Sequence, residues 1–302
     1  MTSALTLSAL VALSAQQLKV AHAAGQLSFG QGTTNADDEA AWLVLWRLGL
    51  PLDIDWGDPA YDVALSPQQV ADVQALIQQR IDSRQPAAYL TQEAWLQGVS
   101  FYIDERAIVP RSLMAEVLAE GSIDPWLDPH TTRVLDLCTG NGSLGILAAL
   151  AFPDITVVGL DLSKDALEVA HINIERHGLQ ARMTLAQSDG LRQAEGLFDL
   201  ILCNPPYVNS QSMATLPAEF KAEPALALAG GDDGMDFIRQ LLRDAPAHMS
   251  EHAVLVLEIG HERDHFEAAF PHLDVVWLST SAGDDQVLLL THTALTQGAL
   301  PP

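Results

Sequence analysis

Between residues 133 and 291 short apolar runs alternate with segments of helical character, and few folds accept that order. The runs lie at residues 134–138, 156–160, 183–187, 200–203, 254–259, 275–279 and 287–291. Most are apolar almost throughout rather than alternating, as strands buried on both faces must be. The pattern predicts an α/β domain whose largely parallel sheet is covered by helices on both sides. Only residues 281–285 separate the last two runs. That gap is too short for a parallel crossover, so the two should pair as a hairpin, making a seven-stranded mixed sheet with an antiparallel last strand. The tail after Thr293 reads as frayed.

Upstream, to about residue 95, the signals are helical, in segments separated by Gly30-Gln31-Gly32 and by residues 51–59. Ser66-Pro67-Gln68 reads as a helix start, with Ser66 as cap and Pro67 in the first position, followed by Val70, Val73, Leu76, Ile77 and Ile81 on one face. The first 25 residues loosely imitate a secretory signal, with Ala21-His22-Ala23-Ala24 as the cleavage site. No positive stretch precedes the apolar part, however, and Gln16, Gln17 and Lys19 interrupt it. Leu7, Leu10, Val11, Leu18 and Ala21 fit one face of an amphipathic helix better. Residues 99–103 and 107–109 read as two strands around Asp104-Glu105-Arg106, a hairpin closed by Pro110. The expected division is a helical domain over 1–95, a hairpin linker over 96–111 and the α/β domain over 112–302.

The chain has 302 residues, 48% of them hydrophobic, enough for one large and one smaller core. Its formal charge of −24, from 39 acidic against 15 basic residues, argues against direct nucleic-acid binding and for a basic partner. Two cysteines, Cys138 and Cys203, each ending an apolar run, exclude a disulfide scaffold and point to a reducing, cytoplasmic setting. The ten histidines lack metal-site spacing, so no metal is expected. No apolar run is long enough to span a bilayer, and no membrane partner is expected.

Polar groups gather at the expected strand tips. The first strand runs into Asp136-Leu137-Cys138-Thr139-Gly140-Asn141-Gly142, where glycines let the backbone approach a ligand at the carboxyl edge of the sheet. Alone, such a turn fits a nicotinamide enzyme about as well. Asp161-Leu162 follows the second strand about 20 residues on, a spacing suited to two ribose hydroxyls, although Asp161 or Ser163 could equally cap the next helix. Ser188-Asp189 follows the third, where a side chain could accept from an adenine amino group. After the fourth strand comes Asn204-Pro205-Pro206-Tyr207. Two prolines hold this loop extended and leave carbonyls without local partners. The Asn204 side-chain oxygen and the Pro205 carbonyl could each accept one hydrogen of a planar amide and aim its nitrogen lone pair at a methyl group, with Tyr207 packed against the amide plane. Orientation and acceptor dipoles then suffice, without a general base or metal.

Taken in order, these features resemble the class I (Rossmann-like) methyltransferases, and within them the HemK/Prm group of protein-glutamine N5-methyltransferases, over nearly the whole chain. The resemblance implies S-adenosylmethionine as cofactor, held by Asp136, Cys138, Thr139, Gly140, Asn141 and Gly142 together with Asp161, Leu162, Ser188, Asp189 and Asn204. It also implies a substrate glutamine at Asn204, Pro205, Pro206 and Tyr207. Glu223-Pro224-Ala225-Leu226-Ala227-Leu228 and Gly230-Gly231-Asp232-Asp233-Gly234 look like the group's loop beyond that motif. One branch of the group modifies release factors; the other modifies the third protein of the large ribosomal subunit, L3. Residues 101–112, 29–33 and 50–54 are similar to the L3 branch, which implies a basic ribosomal protein, free before or during assembly, as substrate. Release-factor enzymes tend to carry a second proline after the position of Arg111, where this chain has Ser112. Asn141 departs from the small or hydroxyl residues common between the glycines. Three other readings stay open: a DNA adenine methyltransferase, which the acidic charge disfavours; a nicotinamide dehydrogenase, which lacks an obvious acid/base pair; and a non-catalytic cofactor-binding assembly factor. Cys138 and Cys203 are expected on neighbouring strands near the pocket, chiefly as small buried side chains.

Overall fold

The computed structural model describes residues 5–58, 60, 61 and 64–298, so Pro59 in the expected separator, the first four residues and the last four of the tail lie outside the described residues. Contacts divide the chain into two units, one comprising residues up to Ala94 with Pro217–Ala222, the other Trp95–Leu216 with Glu223 onward.

The first unit is built on α1 (Leu7–Ala23), α2 (Ala36–Leu48), α3 (Pro67–Ser83) and α4 (Ala87–Thr91). Each long helix starts where a side chain takes up its free amides. Asn35 accepts from Asp37 N and Asp38 N, and Ser66 and Gln69 form a reciprocal capping box with Pro67 in the first turn. Leu7, Leu10, Leu18 and Ala21 are buried as the face reading expects, while Val11 is only partly so. They pack with Leu43, Val44, Val73 and Ile77 into one core. Inside this unit Arg80 is 1% exposed. It donates to Glu39 Oε1 at 2.9 Å, to Glu219 Oε1 at 3.4 Å and to the Ser28 carbonyl at 2.7 Å. Arg84 closes on both oxygens of Glu219 at 3.1 and 2.7 Å, and Ser28 N donates to Oε1 at 2.8 Å. Burial alone would raise the Glu219 carboxyl, but these donors outweigh it and hold it below its usual range. Glu39, with fewer donors, is raised by burial.

A hairpin, β1 (Glu93–Leu96) and β2 (Val99–Tyr102), is present, displaced from the expected position. The second strand is the one read from sequence; its partner lies upstream, across Gln97 and Gly98, both with positive φ (50° and 73°), as a tight hairpin turn requires. Residues 107–109 are not a strand. Their polar groups are engaged elsewhere: Val109 N donates to Glu223 Oε1 at 3.0 Å and the Ile108 carbonyl accepts from Asn141 at 3.0 Å.

The second unit continues with α5 (Met114–Ala119), β3 (Arg133–Leu137), α6 (Ser143–Ala151), β4 (Thr156–Asp161), α7 (Lys164–Arg176), β5 (Met183–Gln187), β6 (Phe198–Cys203) and α8 (Ser210–Thr215). The short α9 (Ala218–Lys221) falls in the segment assigned to the first unit. Then follow α10 (Asp236–Asp244), β7 (Met249–Glu258), α11 (Arg263–Ala269), β8 (Val276–Thr280), β9 (Gly283–Thr291) and α12 (His292–Gln297). The order β5-β4-β3-β6-β7-β9-β8 gives the expected seven-stranded mixed sheet, with the last strand, β9, antiparallel to both neighbours. Successive residues feed opposite cores: Val134, Leu200 and Leu202 one face, Leu135, Leu137 and Ile201 the other. Two details differ from expectation. The final turn is only Ser281-Ala282, and His292–Gln297 form α12 where a frayed tail is expected after Thr293. Among the described residues no helix is long and apolar enough to cross a membrane.

Candidate functional site

β3 ends at Leu137, and Cys138, with φ +59°, turns the chain out of the sheet. Gly140 and Gly142 (φ +55° and +82°) carry it into α6. At Gly140 it is the left-handed backbone that calls for glycine, since an added Cβ would meet nothing nearer than the Cys138 carbonyl at 3.9 Å. Beneath the turn, Asp136 Oδ2 accepts from Thr139 Oγ1 at 2.5 Å and from Gly145 N at 2.9 Å. Burial pushes this carboxyl up to about 7 against the pull of those two donors. Asp161, at the tip of β4, accepts from Gly140 N and Ser163 N, both at 2.8 Å. It thus steadies the glycine turn and its own helix start together, while Ser163 caps α7 through Ala166 N. Burial raises the Asp161 carboxyl too, more than its backbone donors lower it.

These tips surround one cavity. Cys138, Thr139, Gly140, Asn141, Asp161, Leu162, Ser188, Asp189, Asn204 and Pro206 line it. Asp136, Gly142, Pro205 and Tyr207 do not; Asp136 lies under the turn, 1% exposed, and Pro205 is buried. Ser188 is occupied locally, donating to the Gly190 carbonyl at 2.6 Å and accepting from Gln193 N at 3.0 Å. Asp189 is exposed and pairs with Arg192 at 2.8 Å. The Cys138 thiol is in contact with that of Cys203, which with burial pushes it well above its ordinary range. Cys203 itself is fully buried and does not reach the cavity.

Asn204 emerges from the end of β6, a central strand flanked by β3 and β7. Its side-chain amide makes no hydrogen bond to any described residue, although the Asn141 side chain nearby in the lining is fully engaged with Ile108 and Ser143. The stretch after it is held by main-chain bonds, Val208 N to the Leu228 carbonyl at 2.8 Å and Gly230 N to the Val208 carbonyl at 2.9 Å. The Tyr207 hydroxyl donates to Glu258 Oε1 at 3.3 Å, and burial with the nearby Glu258 charge keeps its proton on.

Several residues not expected from the sequence to belong to the site also shape it. Asn173, fully buried on α7, accepts from Tyr102 N at 2.7 Å and donates to the Tyr102 and Asn141 carbonyls at 3.0 and 2.9 Å, tying β2 to the glycine turn. A polar residue in the buried stripe of Val169, Ala170 and Ile174 was the available signal. Arg111 binds Glu223 through two parallel bonds of 2.6 and 2.8 Å, fixing the segment that ends the linker. Ile108, Leu226 and Phe237 add apolar walls.

Comparison with known proteins places this geometry in a family. Residues 114–233 match the family model described as methyltransferase small domain. The chain is 54% identical to the ribosomal protein uL3 glutamine methyltransferase of Bordetella pertussis, over 90% of this chain and 91% of that protein. Proteins of the same name from Burkholderia pseudomallei (50% identical; 88% and 89% covered) and Neisseria gonorrhoeae (47%; 89% and 90%) are similarly close. Among solved structures, the hMettl16 catalytic domain in complex with MAT2A 3'UTR hairpin 6 shares the fold, with a TM-score of 0.52 and 11% identity over 78% of this chain and 85% of that one.

Proposed function

The chain belongs to the ribosomal protein uL3 glutamine methyltransferases, S-adenosylmethionine-dependent enzymes, and from that premise we propose that it methylates the side-chain amide nitrogen (N5) of a glutamine in uL3. The observation that carries the proposal is Asn204: a side-chain amide with no hydrogen bond to any described residue, at the tip of a central strand, on the one cavity where the glycine turn, Asp161 and Ser188-Asp189 also converge. The Asn204 oxygen and NH2, uncommitted to protein groups on the wall of the cavity, are available to a ligand that displaces water.

The lining suits the cofactor. Main chain freed of side chains at Gly140 offers close approach, Asp161 and Asp189 offer negative charge to a cation and ribose, and Leu162, Leu226 and Phe237 offer apolar cover. When bound, S-adenosylmethionine supplies an electrophilic methyl group on a sulfonium. The chain's own part is orientation. The Asn204 side-chain oxygen, in the lining, accepts one amide hydrogen of the glutamine and turns the nitrogen lone pair towards the methyl; the Pro205 carbonyl and the Tyr207 ring, which adjoin the lining through Asn204 and Pro206, take the second hydrogen and bound the amide plane. Apolar walls exclude water, and the amide proton leaves after transfer, so no general base is required. The helical unit up to about residue 95, with the linker over 96–111, selects the substrate. That substrate is a basic, unassembled ribosomal protein in the cytoplasm, with neither nucleic acid nor membrane bound directly.

The test is transfer of labelled methyl to purified, free uL3 and, in parallel, to release factor, with the modified residue located by mass spectrometry. Label on a uL3 glutamine alone is the expected result. Label on release factor alone would overturn the substrate, and label on neither would overturn the proposal. Asn204→Ala should lower kcat by about a hundred-fold, the loss typical of one group aimed at the reacting centre, with binding of free uL3 little changed.

A further inference from the structure

Tyr207 is the one member of the Asn-Pro-Pro-Tyr loop whose side chain has a charged partner inside the protein. Glu258, the last residue of β7, is 4% exposed, and no arginine or lysine among the described residues is paired with it. Its carboxylate collects neutral donors instead: Ser112 Oγ at 2.6 Å and Leu113 N at 2.9 Å on one oxygen, the Tyr207 hydroxyl at 3.3 Å on the other. The nearby guanidinium of Arg111 is committed to Glu223. A buried acid kept without a counter-ion is costly, and its donors are what make it tolerable.

Space around Tyr207 is equally specific. A Cβ on Gly260, two residues beyond Glu258, would stand 2.5 Å from Tyr207 Cε2. A Cβ on Gly230 or Gly234 would fall 2.7 Å from Tyr207 Cα or 2.2 Å from its carbonyl oxygen. The ring therefore lies against bare backbone, its main chain lies against the Gly230–Gly234 loop, and its hydroxyl is pinned at the far end. Ser112, where the sequence departs from a second proline, supplies a hydroxyl that proline lacks, and Ser112 Oγ also accepts from Met114 N at 3.2 Å.

We infer that Glu258, oriented by Ser112, is a positioning residue for methyl transfer: it fixes the plane of the Tyr207 ring, and thereby the plane in which the substrate amide is held. The inference rests on the proposed glutamine methylation and deepens it. Neither Glu258 nor Ser112 needs to touch substrate. Glu258→Gln keeps the shape, but with the amide oxygen retained by Ser112 and Leu113 the new NH2 faces Tyr207, so the hydroxyl must accept instead of donating and loses its anchor orientation.

The experiment is steady-state methylation of uL3 by the full chain, with Kd for S-adenosylmethionine and thermal unfolding measured on every variant. Glu258→Gln should lower kcat by roughly ten- to a hundred-fold, bounded by the ~100-fold that an ångström of misplacement can cost, with Kd for the cofactor within about two-fold. Ser112→Ala, the milder change should Glu258→Gln not fold, should lower kcat about three-fold. In a Tyr207→Phe background, where no hydroxyl remains to be anchored, each change should add less than about two-fold, because residues acting through one group are not additive. Unaltered kcat in Glu258→Gln, or a loss that persists in full in Tyr207→Phe, would overturn the inference while leaving glutamine methylation standing. Failure of the unaltered chain to methylate uL3 would sink the parent reading and this inference with it, and the wild-type control alone reveals that case.

Discussion

Asp136 pairs a structural duty with an unusual proton. Its folded value of about 7 stands above the ordinary 3.8, so the folded chain keeps a proton that the unfolded chain gives up. The stabilisation is therefore complete below about pH 4 and is lost as pH rises towards 7. Asp136→Asn, which keeps an acceptor for Thr139 and Gly145, should flatten the fall in unfolding free energy across that window by on the order of a few kcal/mol, as urea denaturation at pH 5 and pH 8 would measure. A slope identical to that of the unaltered chain would refute the assignment. Gly145 sits over the same carboxylate for a different reason: an added Cβ would stand 2.7 Å from Met183 Cε and 2.9 Å from Asp136 Oδ2. Gly145→Ala should cost about 1–3 kcal/mol through overpacking, read as a lowered midpoint of thermal unfolding.

At the level of elements, the ion cluster of the first unit makes the sharpest claim. Glu219 is fully buried and takes its donors from Arg80, Arg84 and Ser28. Glu219→Ala strands two guanidiniums, one of them 1% exposed, and should destabilise the chain by about 3–5 kcal/mol, seen as an earlier urea transition, with Glu219→Gln intermediate. None of this was legible in the sequence, because ion pairs spanning 135 and 139 residues leave no local periodicity. The central strands were legible for the opposite reason: β3, β4 and β6 are apolar over most of both faces, and the glycine turn, Asp161 and Asn204 stand where they end. The hairpin was misplaced because Glu93–Leu96 is only four residues long, while the turn signal Gln97-Gly98 was outweighed by the more conspicuous Asp104-Glu105-Arg106. Within the site, Asp161 and Asn204 could be picked out by position, whereas Asn173, Glu223 and Glu258 act through partners far away in the chain.

For the molecule as a whole, a charge of −24 predicts an electrostatic encounter if the substrate is the basic protein proposed above. The association rate with uL3, followed by stopped flow, should fall about ten-fold or more between 50 and 300 mM salt, since steering of this kind contributes roughly 10- to 1,000-fold at low ionic strength. A salt-independent rate would place recognition in apolar contacts. The assignment of Pro217–Ala222 to the helical unit bears on heredity as well as on stability. The 94 residues at the amino end are not a self-sufficient cassette. A recombination event that replaced them with those of a divergent relative would import a new Arg80 and Arg84 while keeping the old Glu219, donated from more than a hundred residues downstream. Exchange of this unit between lineages must then proceed by two linked replacements or by gradual joint drift, and a chimera carrying both segments should fold where one carrying only the first should not.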